Sequence, residues 1–116
     1  MKLSTINKTG QAFGLKDNDL QNIITILKQA EEVEEAIIFG SRAKGNYKNG
    51  SDVDIALKGT GLDSIITGNI SHTLNEETQM PYRFDMLNYH TLSNKDLTEH
   101  INGIGIYFYK RSKVNG

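Results

Sequence analysis

The stretch FGSRAKGNYKNGSDVDIAL, residues 39–57, constrains the fold more than any other part of the chain. An apolar, β-branched run ends at a Gly-Ser step, a loop of Gly, Asn, Lys and Ser follows, and a second apolar run begins. Short apolar runs separated by such a loop are typical of neighbouring strands. We therefore predict neighbouring strands at about 35–39 and 52–57.

Apolar residues recur at helical spacing on both sides of these strands. Asn18 and Gln21 resemble a capping box at the start of the first helix. The further predicted elements are a helix at about 18–31, a helix starting near Leu62, and a strand at about 82–87 after the only proline, Pro81. This order points to an α+β (mixed α/β) fold, in which helices cover a sheet.

Two interpretations fit the end of the chain. Ser93 can cap a helix with Asp96 at the fourth place of the box. Apolar residues then continue at helical spacing through Leu97, Ile101, Ile104 and Phe108. Gly103 and Gly105 could instead end the helix and leave IYFYK as a strand. We favour the helix.

Length and composition limit the remaining possibilities. The 116 residues suffice for one domain, which we place at 17–110 between a flexible arm, 1–16, and a tail, 111–116. The net charge of −1 favours neither nucleic acid nor an anionic membrane as a direct partner. The chain has no cysteine, no signal-peptide pattern and no apolar run near 18 residues. We expect a cytoplasmic protein without membrane contact.

Three aspartates are candidate metal ligands. Asp52 and Asp54 are two residues apart on a predicted strand, so both carboxylates point to the same face. Two like charges about 4 Å apart repel by roughly 4 kcal/mol at an effective dielectric near 20, so a compensating cation is expected. Oxygen ligands suit Mg²⁺ or Mn²⁺. Asp85, in the middle of YRFDMLN, is the candidate third carboxylate.

The Gly-Ser step is a candidate phosphate site. The chain leaves a strand at Phe39 and enters a short helical turn, whose free N–H groups and positive dipole end attract anions. Gly40 permits close approach of the backbone, and Ser41 adds a hydroxyl donor. Arg42 and Lys44 are nearby cations for further phosphate charge. His72, His90 and His100 lack close ligand spacing, so we expect them to be surface or helix-facing residues.

At these residues the sequence resembles the minimal nucleotidyltransferases (MNT) of the polymerase β superfamily. Their signature is a strand ending in Gly-Ser, a loop, Asp-x-Asp or Asp-x-Glu, and a third aspartate on a later strand. Here it reads GSRAKGNYKNGSDVD and then RFD. Gly40 and Ser41 match the triphosphate-binding turn, Asp52 and Asp54 the metal-binding pair, and Asp85 the third acidic position.

The resemblance implies a polymerase β-like fold with a small mixed sheet covered by helices. It implies transfer of a nucleoside monophosphate, with AMP from ATP as the expected case, to a hydroxyl acceptor. Two Mg²⁺ ions, or Mn²⁺, would bind the pair Asp52 and Asp54, and Asp85 would ligate the second ion and accept the proton.

Small MNT proteins are commonly paired with a helical HEPN protein, so the resemblance also implies a hetero-oligomer. In toxin–antitoxin pairs the MNT protein is the antitoxin and can adenylylate a tyrosine of the HEPN toxin. Two alternatives remain open: neutralisation of the partner by binding alone, and nucleotidyl transfer to a small molecule such as an aminoglycoside.

Overall fold

The computed structural model describes residues 13–112, which form one four-stranded sheet and four α-helices. The elements in chain order are α1 (Asp17–Lys28), β1 (Glu35–Phe39), α2 (Gly40–Lys44), β2 (Val53–Lys58), α3 (Ser64–Glu76), β3 (Phe84–Asn88), a 3-10 turn (Tyr89–Thr91), α4 (Lys95–Ile104) and β4 (Ile106–Lys110). The strand order is β3-β2-β1-β4, with β1 antiparallel to β2 and β4, and β2 parallel to β3. The predicted mixed α+β architecture is confirmed.

One face of the sheet is covered by α1 and α3. Alternate residues of β1 and β2 point to these helices, and the side chains on this face are apolar and buried. The buried cluster on this face includes Leu20, Ile23 and Leu27 of α1, Ile70 and Leu74 of α3, and Ile38, Val53, Ile55 and Leu57 of the sheet. This cluster is the larger of the two cores.

The opposite face of the sheet is covered by α4. Its smaller core consists of Ile37, Phe39, Ala56 and Ile101, with Leu87, Tyr89, Leu92 and Leu97 packed against it. The ten-residue helix α4 begins with Asn94 as its N-cap, whose side chain accepts a hydrogen bond from the Leu97 N–H. The predicted cap, Ser93, is therefore one residue early. The next residue along β2 from Ala56 on this face is Asp54.

The final helix is shorter than the favoured prediction, because residues 106–110 form strand β4. Gly105 leaves the helix with extended backbone angles, φ −61° and ψ 145°. A Cβ atom at this position would overlap with the Ile101 carbonyl and with Ile37 Cγ2, so only glycine fits. The strand then pairs with β1 and buries Phe108 and Tyr109. The alternative that the helix ends and IYFYK forms a strand is thus confirmed at Gly105, whereas Gly103 lies within α4.

Helix α1 also differs in detail from its prediction. It runs from Asp17 to Lys28, and its N-cap, Lys16, makes no side-chain capping bond, so the predicted box of Asn18 and Gln21 does not cap this helix. The helix ends early because the next two amides make tighter i→i−3 bonds, from Gln29 to Ile26 and from Ala30 to Leu27.

The packed part of the chain extends past both predicted domain boundaries. Phe13 and Leu15, placed in the flexible arm, are buried in the larger core. Arg111, placed in the tail, donates hydrogen bonds to the carbonyls of Lys28, Ala30 and Val33. The remainder of the predicted arm, 1–12, and of the tail, 113–116, lies outside the described residues. Among residues 13–112, no helix is long and apolar enough to cross a membrane.

Candidate active site

Two of the predicted aspartates, Asp54 and Asp85, lie on neighbouring strands, and Asp52 directly precedes one of them. Asp54 of β2 is directly opposite Asp85 of β3 in the parallel register, so both side chains point to the same side. Asp52 lies one residue before β2, where the Val53 N–H still bonds to the Arg83 carbonyl. The period of two therefore places Asp52 on the same face as Asp54.

The electrostatics of Asp54 show how closely these carboxylates interact. Burial raises the pKa of Asp54 to about 6, with further contributions from the negative charges of Asp85 and Asp52, while the positive charge of Arg42 acts in the opposite direction. A raised carboxyl pKa means that the ionised form is destabilised where it stands. A cation bound beside Asp54 would remove this destabilisation.

The carboxylates form an open set of oxygen donors. Within residues 13–112, no group of three or more His, Cys, Asp or Glu side chains lies close enough together to hold a metal ion by itself. Mg²⁺ is usually bound through one or two carboxylates together with substrate phosphates and water, so it does not need a closed protein cage. The carboxylate oxygens of Asp52, Asp54 and Asp85 suit a divalent cation in chemical type, and a phosphate-containing substrate would have to complete the set of ligands.

The predicted phosphate turn adjoins Asp54. Phe39 and Asp54 are register partners, and the chain then enters α2, the predicted short helical turn, at Gly40. Gly40 has a left-handed φ of +73°, and a Cβ atom there would overlap with Oδ2 of Asp54. Only glycine therefore allows the turn and the carboxylate to lie in contact. Ser41 is half-buried in the first turn of α2.

Arg42 does not face a phosphate site, contrary to the prediction for this residue. It is buried, at 3% exposure. Its Nε and Nη2 donate to the Ser51 carbonyl at 3.2 and 2.9 Å, and Nη1 donates to the carbonyls of Phe13 and Gly14 at 2.8 and 3.3 Å. The guanidinium thus ties the start of the described chain to the peptide that precedes Asp52. Its long-range charge still acts on Asp54, but its hydrogen bonds are structural.

The other predicted cation, Lys44, has a different position. It is exposed in the last turn of α2, and no residue in the described part of the chain forms an ion pair or hydrogen bond with its side chain. Its ammonium group is therefore available to a ligand bound at the turn.

Two sets of contacts at the site were not predicted from the sequence. The loop before Asp52 is closed by Ser51, whose hydroxyl accepts from the Lys48 N–H at 2.9 Å and whose N–H donates to the Lys48 carbonyl. The second is His100 of α4, whose Nε2 accepts a hydrogen bond from the Gly40 N–H at 3.2 Å. No local pattern could have indicated that contact, because the two residues are sixty positions apart.

Comparison with known proteins gives consistent results. The model of the family "Polymerase beta, Nucleotidyltransferase" matches residues 21–114. A curated relative from Haemophilus influenzae, the "Probable protein adenylyltransferase MntA", is 30% identical over 101 residues, which cover 86% of this chain and 87% of the relative.

Two solved structures with a similar fold come from toxin–antitoxin complexes. One is a toxin–antitoxin with AMP-PNP, with a TM-score of 0.66 and 20% identity over 79% of this chain and 73% of that one. Another is the complex of a tri-AMPylated Shewanella oneidensis HEPN toxin with its MNT antitoxin, with a TM-score of 0.62 and 18% identity over 81% of this chain and 71% of that one. At these identities the likeness shows the fold.

A mixed sheet with aspartates beside a glycine turn, together with the family match, identifies the class of protein as a nucleotidyltransferase. The chain belongs to the polymerase β nucleotidyltransferase family, and its similarity to the MntA relative fits the MNT group. Members of this family use a nucleoside triphosphate together with a divalent metal.

Proposed function

We propose that this protein transfers AMP from ATP to a tyrosine hydroxyl of a HEPN partner protein and acts as the antitoxin of a two-component system. The observation that carries the proposal is the contact of the Gly40 turn with Asp54, which lies in register with Asp85. The adenylyltransferase assignment of the Haemophilus relative and the AMPylated toxin in the Shewanella complex support the choice of donor and acceptor.

The residues of the site divide into two groups by their chemistry. The N–H groups of the α2 turn after Gly40, together with the Ser41 hydroxyl, bind triphosphate oxygens, and Lys44 neutralises further phosphate charge. Two divalent ions, Mg²⁺ or Mn²⁺, would be held by Asp52, Asp54 and Asp85 and would supply charge neutralisation and activation of the acceptor hydroxyl.

The reaction is a single displacement at the α-phosphorus. The acceptor oxygen forms a bond to that phosphorus, the bond to the bridging oxygen of the β-phosphate breaks, and pyrophosphate leaves. Asp85 is exposed at the edge strand of the sheet and accepts the proton of the acceptor hydroxyl. Most of the rate enhancement then comes from positioning and charge neutralisation.

The direct test is incubation of the protein and its HEPN partner with α-labelled ATP and Mg²⁺. We expect label on a partner tyrosine, found by peptide mass spectrometry, and loss of that label with EDTA or with the substitution Asp52→Asn. Glu76→Gln, at an exposed position of α3, is the matched control for loss of one negative charge. An unlabelled partner in the presence of wild-type protein would contradict the proposal.

A growth assay separates catalysis from neutralisation by binding. Cells that express the toxin are rescued by the wild-type protein and, on our proposal, are not rescued by the double variant Asp52→Asn, Asp54→Asn. Rescue by a double variant that is expressed and folded would instead identify a non-catalytic antitoxin.

A further inference from the structure

His100 links helix α4 to the first residue of the phosphate turn. Its Nε2 accepts the hydrogen bond from the Gly40 N–H, and its ring contacts Phe39 edge-on, with centroids 6.1 Å apart and an interplanar angle of 82°. A ring nitrogen that accepts carries no proton, so the neutral ring has its proton on Nδ1. The contact therefore specifies both the position and the tautomer of the ring.

Gly40 is the residue of the site that most needs an external restraint. Glycine is the most flexible residue of a backbone, and other residues are excluded here because Asp54 Oδ2 occupies the place of a Cβ atom. Helix α2 has only five residues, so it gives little stability of its own. A hydrogen bond from another element is thus an effective way to fix the orientation of the peptide between Phe39 and Gly40.

A second histidine makes the same kind of contact at the opposite end of the sheet. The Gly59 N–H donates to Nε2 of His90 at 3.1 Å, directly after β2. Because β1 and β2 are antiparallel, Gly59 lies at the end far from Asp54. The chain therefore contains a matched pair of glycine–histidine contacts, of which only one adjoins the carboxylates.

We propose that His100 is a positioning residue of the nucleotidyltransferase reaction: through the Gly40 N–H it holds the turn in the orientation that binds the triphosphate beside Asp54. It acts through the backbone of Gly40. The inference rests on the turn as the triphosphate site, as in the proposed function, but not on the identity of the acceptor.

The test compares His100→Leu, which keeps bulk but has no acceptor, with His100→Gln, whose side-chain carbonyl can still accept. His90→Leu is the control at the other end of the sheet. Calorimetry measures binding of a non-hydrolysable ATP analogue with Mg²⁺, and amide hydrogen exchange measures the protection of Gly40. Neither readout requires a HEPN partner.

We expect His100→Leu to weaken analogue binding about 5–10-fold and to speed exchange of the Gly40 amide by a similar factor, as for the loss of one hydrogen bond. His100→Gln should retain most of the affinity for the analogue, and His90→Leu should bind it as tightly as the wild type. In single-turnover transfer, the loss in His100→Leu should appear mainly in the ATP concentration for half-maximal rate. Equal losses for the Leu and Gln variants, or none for Leu, would overturn the proposal.

A measurement on the wild-type protein covers the case in which His100→Leu does not fold. The ¹⁵N spectrum of the His100 ring should show Nε2 as the unprotonated nitrogen, coupled to the Gly40 amide, and a proton on Nδ1. A proton on Nε2 would refute the contact directly. If wild-type protein binds the analogue but labels no partner, the proposed acceptor fails while the role of His100 is still decided by affinity and exchange.

Discussion

The two ends of the α4 face of the sheet are built from similar parts but differ in charge balance. At one end, the Asp54 carboxylate contacts Gly40, and burial together with the charges of Asp85 and Asp52 raises the pKa of Asp54 to about 6. At the other end lies Lys58, whose Nζ donates to the Tyr107 hydroxyl at 2.7 Å, beside the ion pair of Lys110 with Glu35. The Lys58 ammonium also lies 4.4 Å from the centre of the Tyr89 ring.

The difference in charge balance shows which end of the sheet is suited to bind a ligand. Burial lowers the pKa of Lys58, but the hydrogen bond to Tyr107 and the electrostatic interactions with Tyr107, Tyr89 and Glu35 raise it overall. The protein itself therefore stabilises the charged form of Lys58. At the acidic end the ionised form of Asp54 is destabilised. Such a perturbed group beside an open turn is typical of a functional site, whereas a satisfied charge is typical of a structural one.

The largest expected effect separates the two ends by activity. Asp54→Asn removes a central carboxylate and should reduce AMP transfer by about 10³-fold or more, since charge neutralisation is the main catalytic term. Lys58→Met, at the other end of the same strand, should retain transfer within about threefold. Initial rates with labelled ATP measure both. Similar losses in the two variants would show that the ends do not differ in function.

The second effect concerns Arg42, which joins the acidic end to the start of the packed chain. Arg42→Lys keeps the charge but cannot donate to the carbonyls of Ser51, Phe13 and Gly14 together. We expect the free energy of unfolding to fall by about 2–4 kcal/mol, because buried acceptors lose their donors. Urea denaturation measures this, with Arg83→Lys, at an exposed position, as the control.

Stability equal to wild type in Arg42→Lys, together with weakened nucleotide binding, would return Arg42 to the phosphate-binding role.

The sequence could not distinguish these roles. Arg42 lies in a short basic helix before a glycine-rich loop, where a solvent-exposed cation is expected. Its side chain is instead buried and bonds to the carbonyls of Phe13 and Gly14, in a segment without helical or strand periodicity.

The parts of the site that could be predicted are those set by local geometry. Asp52 and Asp54 share a face because strand side chains alternate, and Gly40 with Ser41 follows a strand directly. Asp85 could be predicted only as a candidate, because its register with Asp54 depends on the pairing of β2 with β3. The contact with His100 depends on the docking of α4, which no short-range pattern specifies.

The C-terminal helix and strand show the same limit of prediction from local sequence patterns. Residues 97–108 satisfy helical spacing, and IYFYK equally satisfies a strand, so periodicity alone could not choose between them. The choice is made by close packing at Gly105, against Ile101 and Ile37, and by the free edge of β1, which β4 pairs with. Tertiary contacts thus outweigh a helical pattern in its last turn.

The third effect is a pH dependence that only the acidic end should show. Unfolded Asp54 releases its proton near the ordinary pKa of 3.8, while folded Asp54 keeps it to about 6. The folded state therefore binds more protons in this window, and its stability falls as the pH rises from about 4 to about 6. The variant Asp54→Asn does not lose stability in this way as the pH rises. Its free energy of unfolding at pH 7 should therefore exceed that of the wild type by about 1–2 kcal/mol after solvent screening.

Urea denaturation near pH 4 and near pH 7, without divalent ions, measures that difference, which should be largest at the higher pH. Added Mg²⁺ with an ATP analogue should then stabilise the wild type and not the variant, because only the wild type binds them well. A variant that is less stable than wild type at both pH values would contradict the destabilised state of Asp54.

The smallest expected effect tests the end of the sheet at which Lys58 lies. Tyr107→Phe removes the hydroxyl that accepts from Lys58, but the ring stays, and Tyr107 is 44% exposed. Water can replace the lost partner, so we expect a decrease in the free energy of unfolding of only about 0.5 kcal/mol. Binding of the ATP analogue should remain unchanged, since the Lys58 end of β2 does not contact the turn. A fall in affinity with no fall in stability would show that this end also takes part in nucleotide recognition, and the contrast between the two ends would then be wrong.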